Sequence, residues 1–268
     1  MFDQDPDEPP PMQRTRGRAR VVIDARGLRD LHQSGSAKAM LPRMHGAAPE
    51  VVFLNTAGGV TGGDRLRYEL ALGAGVRATA TTQTAERAYA STGAAGHVDI
   101  AFQVGAGARL DWLPQETILF EASHLARTTR IDLSGDGAVL CVESVVLGRV
   151  AMGETLRHLT FSDRREIWRD GAPVLIEPLH LGTEGLERRT PAGLGDALAL
   201  CSLALVERGA EDAVDPLRAL VGDMGAVSGW DGKCVVRLMA RDAFALRRRL
   251  AGLLQHLRGG ALPRVWQR

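Results

Sequence analysis

Three carboxylates in one short stretch are the first residues with an evident chemical meaning. Asp111-Trp-Leu-Pro-Gln-Glu116, followed by Phe120-Glu121, sets acids among apolar and aromatic side chains. Glu86, Glu143 and Glu154 likewise interrupt apolar or small-residue segments. Such acids could form a general acid/base pair of the glycosidase kind. They could equally be hard oxygen ligands that bind a divalent metal weakly and release it, or be neutralised by Arg65, Arg87, Arg149 or backbone amides. A second segment, Asn55-Thr-Ala-Gly-Gly-Val-Thr-Gly-Gly-Asp64, carries Gly58, Gly59, Gly62 and Gly63. Its spacing approaches that of a phosphate-cradling loop, but Asp64 stands where such a loop needs lysine, and its charge repels phosphate. Glycines so close together predict backbone at positive φ, or backbone passing very near a neighbour.

The remaining chemistry-bearing residues mostly exclude. The histidines, at 32, 45, 97, 124, 158, 180 and 256, are scattered, and neither H-E-x-x-H nor G-x-S-x-G occurs. Cys141, Cys201 and Cys234 form no C-x-x-C pair. A high-affinity metal site of imidazoles and thiolates is therefore disfavoured, as is a disulfide framework, and a reducing compartment is expected. With 33 Lys and Arg against 32 Asp and Glu, the chain lacks the basic excess of a general nucleic-acid binder. The longest apolar stretch, residues 197–206, is too short to span a bilayer as a helix. The opening MFDQDPDEPPPMQ is acidic and proline-rich, the reverse of a secretory leader. These features predict a cytoplasmic protein with no membrane or nucleic-acid partner, whose residues 1–13 form a disordered tail.

Positioning such acids requires a scaffold, and from about Arg18 to Glu177 the dominant period is two. In His97–Val104, Val98, Ile100, Phe102 and Val104 share one face; in Leu66–Leu72, Leu66, Tyr68, Leu70 and Leu72 do. That alternation is what a half-buried strand requires. Ala138–Leu147 is a more buried strand candidate, and Asp-Gly pairs in 134–137 and 169–172 suit hairpin turns. With no long amphipathic helix in this region, the pattern predicts antiparallel or solenoid-like β structure without choosing between them. The last third changes character. Asp215-Pro216 is expected to open a helix, Lys233–Met239 reads as a strand, and Asp242 caps a helix with Leu246, Leu250, Leu253, Leu254 and Leu257 on one stripe, stopped by Gly259-Gly260. Arg247-Arg-Arg249 lies off that stripe and is expected to form a solvated face, while residues 197–206 fit either a helix or a strand. The organisation predicted is a single domain over 14–268, β-rich over 14–180 and mixed with helices over 190–268.

Several contiguous motifs go further. LNTAGGVTGGDRL (54–66), ATTQTAERAY (80–89), LDWLPQETILFEAS (110–123), VLGRVAMGE (146–154) and PRVW (263–266) occur in this order, after HQSGSAKAMLPR (32–43). In these the chain resembles the urease accessory protein family UreD, also called UreH, over about residues 17–268. The resemblance implies a mainly β fold, an irregular helical stack of solenoid-like strands with a few α-helices in the C-terminal third. It implies no catalysis of its own. Its members act as chaperones that build the nickel centre of urease, in complex with UreF, the GTPase UreG and the urease apoprotein, with a water-filled tunnel for nickel. GTP would be used by the partner GTPase, and nickel(II) would be held only transiently. A conduit suits carboxylates, carbonyls and water, because clustered thiolates or imidazoles would hold nickel too tightly. The acids expected to line the tunnel or an interface are Asp64, Glu86, Asp111, Glu116 and Glu143, with Gly58, Gly59, Gly62 and Gly63 letting the backbone approach the tunnel or a partner. The competing reading is a β-solenoid hydrolase working through Asp111 and Glu116.

Overall fold

The computed structural model describes residues 14–43, 48–149, 152–187, 190 and 193–267. The tail expected over residues 1–13 lies outside the described residues, as do two positions of the 146–154 motif. Two sheets face each other. One holds β1 (Arg16–Asp24), β2 (Gly27–Gly35), β5 (Arg65–Leu72), β8 (Gly96–Val104), β11 (Ser123–Leu133), β13 (Leu159–Arg169) and β14 (Ala172–Gly182), in the order β14-β13-β11-β8-β5-β1-β2. The other runs β16-β17-β15-β12-β9-β6-β4-β3, from β3 (Ala37–Met40), β4 (Glu50–Asn55), β6 (Arg77–Thr82), β9 (Arg109–Trp112), β12 (Ala138–Leu147), β15 (Ala199–Val206), β16 (Gly225–Trp230) and β17 (Lys233–Ala240). The short strands β7 (Glu86–Ala88) and β10 (Thr117–Leu119) join it, β10 lying parallel to both β7 and β12.

The middle of each sheet is parallel: β1, β5, β8, β11 and β13 in one, β4, β6, β9 and β12 in the other. Antiparallel neighbours close both ends of each sheet. The chain thus alternates between the sheets in a solenoid-like stack, the class expected from its sequence, with the α-helices of the described residues toward the C-terminus. Alternation alone could not distinguish parallel from antiparallel pairing, and the connections explain why. Ser134–Gly137, read as a hairpin turn, is a corner that carries the chain from β11 in one sheet to β12 in the other. Asp170-Gly171, with φ of 47° and 82°, does make the hairpin between β13 and β14.

The predicted inward faces of β5 and β8 are buried, and between the sheets they pack with Phe53 and Trp112. β12 is buried on both faces because a second core lies behind it, filled by α2 (Val214–Val221) and α3 (Ala243–Arg258); the remaining helix, α1 (Thr183–Glu187), follows β14. α3 is capped as its sequence demands: Asp242 Oδ1 accepts from the Ala245 amide at 2.7 Å, and Gly259 ends the helix at φ 61°. Leu246, Leu250, Leu253 and Leu254 are buried against β15 and β17. Two expectations need correction. Helix α2 opens at Val214, so Asp215 lies in its first turn rather than capping it, where its charge still complements the helix dipole. Arg247 is not merely solvated: it donates to Gln115 at 2.6 Å and to the Val265 carbonyl at 2.9 Å, and stacks on Trp266. Residues 199–206 of the ambiguous apolar stretch are strand, pinned between β12 and β17. No described helix is long and apolar enough to cross a membrane.

Candidate functional site

A line of charged side chains crosses the apolar space between the sheets. In β13, Asp163 and Arg165 fall in phase with Phe161 and Ile167, so the pleat turns them inward. β11 contributes Arg127 in register with Asp163, and β14 contributes Glu177 opposite Arg165. From the facing sheet come Glu143 on β12 and Ser202 on β15, paired in register. Arg127 grips Asp163 with two bonds, Nε to Oδ1 at 2.9 Å and Nη2 to Oδ2 at 2.6 Å, and reaches Glu143 Oε2 with Nη1 at 2.8 Å. The other oxygen of Glu143 accepts from Trp112 Nε1 at 3.1 Å and Thr129 Oγ1 at 3.2 Å. Arg165 pairs with Glu177 and donates to Ser202 Oγ at 2.7 Å, and the exposed Arg237 reaches Glu177 at 2.8 Å. Burial works to raise the Glu177 carboxyl, but Arg165, Ser202 and Arg237 together hold it below the usual range.

These groups line consecutive cavities. One, about 400 Å³, is bounded by Arg127, Glu143, Asp163, Arg165, Glu177 and Arg237 among others. A cavity of about 30 Å³ shares Arg127 and Glu143 with it and adds Glu86, Tyr68 and Trp112. A third, about 50 Å³, shares Glu86, Tyr68 and Thr82 with the second and extends to Asn55, Gly58 and Arg87. The strands β7, β10 and β12 set this spacing by placing Glu86, Thr117 and Val145 in one row. Polar groups therefore run from the glycine-rich loop at one end to the exposed Arg237 at the other.

Glu86 is the acid in this row held by neutral donors, the Arg87 amide at 3.0 Å and Asn55 Nδ2 at 3.4 Å. Burial pushes its carboxyl up to about 7, with a smaller contribution from the charge of Asp64, against the pull of those donors and Arg87. The folded chain keeps this proton up to about 7, whereas an ordinary glutamate releases it near 4.5, so folding stability falls as pH climbs between those values. Compared with Glu86→Gln, the wild-type chain is expected to lose up to about 3 kcal/mol across that window, read from urea midpoints at a series of pH values. Parallel pH profiles for the two proteins would show that Glu86 ionises freely.

The other sequence-predicted residues sit elsewhere. Asp64 is a brace: its carboxylate accepts from the Thr15 amide at 2.7 Å and the Thr61 amide at 2.9 Å, tying the approach to β1 to the glycine-rich loop. Asp111 carries two arginines, Arg109 at 3.1 Å and Arg258 of α3 at 2.8 Å. Glu116 meets Arg247 at 3.4 Å on the α3 side of the sheet. Both acids of the hydrolase reading are thus paired with guanidinium groups. In the loop, Gly58 and Gly63 take positive φ, 79° and 85°. Gly59 and Gly62 instead have no room for a Cβ, which would fall 2.8 Å from the Arg87 carbonyl oxygen and 2.3 Å from that of Ala94. Gly58 also lines the third cavity.

Among the described residues no group of three or more His, Cys, Asp or Glu side chains is disposed to hold a metal ion. Burial pushes the Cys141 thiol up to about 11 and the Cys201 thiol up to about 12, so both stay protonated and are poor ligands.

A family model described as UreD urease accessory protein matches residues 15–267. The chain belongs to the UreD family. Relatives named urease accessory protein UreD include one from a strain of Cereibacter sphaeroides, 58% identical over 264 residues that cover 96% of each protein. Another, from a Jannaschia species, is 48% identical over 260 residues, 96% of this chain and 97% of the relative. One from Rhizobium leguminosarum is 44% identical over 262 residues, 95% of this chain and 96% of the relative. In this UreD-family chain the residues missed in the sequence are Arg127, Asp163, Arg165 and Glu177. For Asp163 and Arg165 the signal was charge at the apolar phase of a period-two segment, Leu159-Thr-Phe-Ser-Asp-Arg-Arg-Glu-Ile167.

Proposed function

We propose that this chain is a urease-maturation chaperone, a scaffold that binds UreF, the GTPase UreG and the urease apoprotein, and passes nickel(II) as cargo through its interior. Membership of a family named for urease accessory proteins supports the maturation role. The single observation that carries the conduit is the succession of cavities sharing Glu86, Glu143 and Arg127 between the sheets. Carboxylates there offer hard oxygens to a divalent ion, and neighbouring guanidinium groups compete with it, which keeps binding weak and release fast. Glu86 and Glu143 act from within the path; Asp163 and Glu177 join them, while Asp64, Asp111 and Glu116 act as structural braces or at an interface. The chain performs no chemistry, GTP is consumed by the partner GTPase, and the work is cytoplasmic.

Reconstitution of urease from apoprotein with UreF, UreG, nickel and GTP tests the role, with activity expected only when this chain is present. Within that assay Glu86→Gln and Glu177→Gln, incorporated into the full complex, are expected to slow activation by about tenfold or more. Normal activation by both variants, still in complex, would rule out an acid-lined path.

A further inference from the structure

We propose that Arg127 gates this path, opening by withdrawing together with Asp163 from Glu143; the inference rests on the conduit reading above. Arg127 and Glu143 are the two side chains common to the linings of the large cavity and the small one beside it. Their ion pair, 2.8 Å long with both side chains 5% exposed, therefore stands at the boundary between the cavities. With both acids ionised the three-residue cluster carries a net charge of −1, so a cation is not repelled overall, but each carboxylate it would need is already held by the Arg127 guanidinium. A cation passes only by taking its place against the carboxylate. That favours a small divalent ion over sodium or potassium, because exchange for a guanidinium needs a higher charge density.

The grip of Arg127 on its two acids is unequal, and this sets the direction of opening. Asp163 is held by a two-bond fork, and Arg127 and Asp163 stand in register on adjacent strands of one sheet. Glu143 belongs to the other sheet, and Arg127 touches only its Oε2. When Arg127 lets go, Trp112 and Thr129 still hold the second oxygen of Glu143 in place. Nη1 of Arg127 is not orphaned either, since Thr117 Oγ1 lies 3.0 Å away as a neutral acceptor. Opening thus moves a neutral Arg127–Asp163 pair and leaves one anchored carboxylate with a free oxygen facing the path. Breaking the fork instead would strand the buried Asp163 carboxylate, whose described donors both come from Arg127.

The test is direct nickel binding to the full-length chain, measured by competition with a chromogenic chelator. Arg127→Gln removes the gate. The double variant Arg127→Gln/Asp163→Asn removes one charge of each sign, so the net buried charge of the three residues is unchanged and Glu143 keeps its bonds from Trp112 and Thr129. Both proteins, folded by circular dichroism, are expected to bind nickel about tenfold or more tightly than the wild-type chain. Adding Glu143→Gln to the double variant should abolish that gain. The proposal is overturned if the double variant binds nickel no more tightly than wild type, or if the gain survives Glu143→Gln. Normal urease activation by the Glu86→Gln and Glu177→Gln proteins would sink the conduit itself, whatever the Arg127 variants do. Impaired activation there, with nickel binding unchanged in the double variant, would sink the gate alone.

Discussion

Asp163→Ala is expected to destabilise the protein by about 3–5 kcal/mol, because it strips a buried arginine of its principal counter-ion. Asp163 and Arg127 are both nearly inaccessible, and every polar atom of the Asp163 side chain is committed to the guanidinium. With the carboxylate gone, two N–H groups of Arg127 lose their acceptors beside the large cavity, and Glu143 alone must neutralise the charge. Asp163→Asn keeps one acceptor at similar volume and should lose distinctly less. Urea denaturation checks both, with the midpoint falling and the slope unchanged if the native and unfolded states keep their surface areas. A loss below about 1 kcal/mol for the alanine variant would mean that Arg127 reaches solvent through the large cavity once released, since only exposed charges are so cheaply unpaired.

Phe53→Ala should be of similar severity, about 3–5 kcal/mol, for a different reason. Phe53 is fully buried between the sheets, with the Tyr68 ring 4.9 Å away and those of Phe102 and Trp112 each at 6.2 Å. Removing it empties the centre of an aromatic cluster whose members come from four different strands, and rigid parallel strands cannot collapse to fill the space. Phe53→Leu retains most of the buried volume and is expected to forfeit chiefly the ring-to-ring geometry, about 0.5–1.5 kcal/mol. Because Phe53 also lines the third cavity, thermal denaturation of the two variants separates loss of packing from any widening of the path. Equal melting temperatures for Phe53→Ala and wild type would contradict the packing assignment.

What could be read in the sequence depended on whether the deciding partner was close along the chain. The inward faces of β5 and β8, the cap and stop of α3 and its leucine stripe are local patterns, and each appears where it was expected. The family resemblance was legible because its motifs are contiguous runs. Pairing direction was not, since alternate residues face inward in parallel and antiparallel strands alike. The acids divide on the same principle. Glu143 interrupts an apolar strand and is buried in the cavity wall. Asp111 looks equally conspicuous, but its fate is decided by Arg258, far away on α3. Asp163 and Arg165 escaped notice because their partners lie on β11, β14 and β15, and only the assembled sheets bring them together.

The parallel stacking has a consequence for how this protein is made. Each inner strand finds its neighbour one turn of the coil earlier, Arg65 beside Arg16, His97 beside Arg65, Leu125 beside Gly96, and Leu159 beside Ser123. Growth can therefore proceed vectorially, one rung at a time, as the polypeptide leaves the ribosome. The face awaiting the next rung is a row of unpaired amides and carbonyls, the kind of surface that recruits strands from other chains. The β13–β14 hairpin ends the parallel series in the seven-stranded sheet, because β14 runs against β13 and takes the edge position. Nascent chains stalled before residue 172 would thus carry an open parallel template at β13, which the antiparallel β14 covers once it emerges.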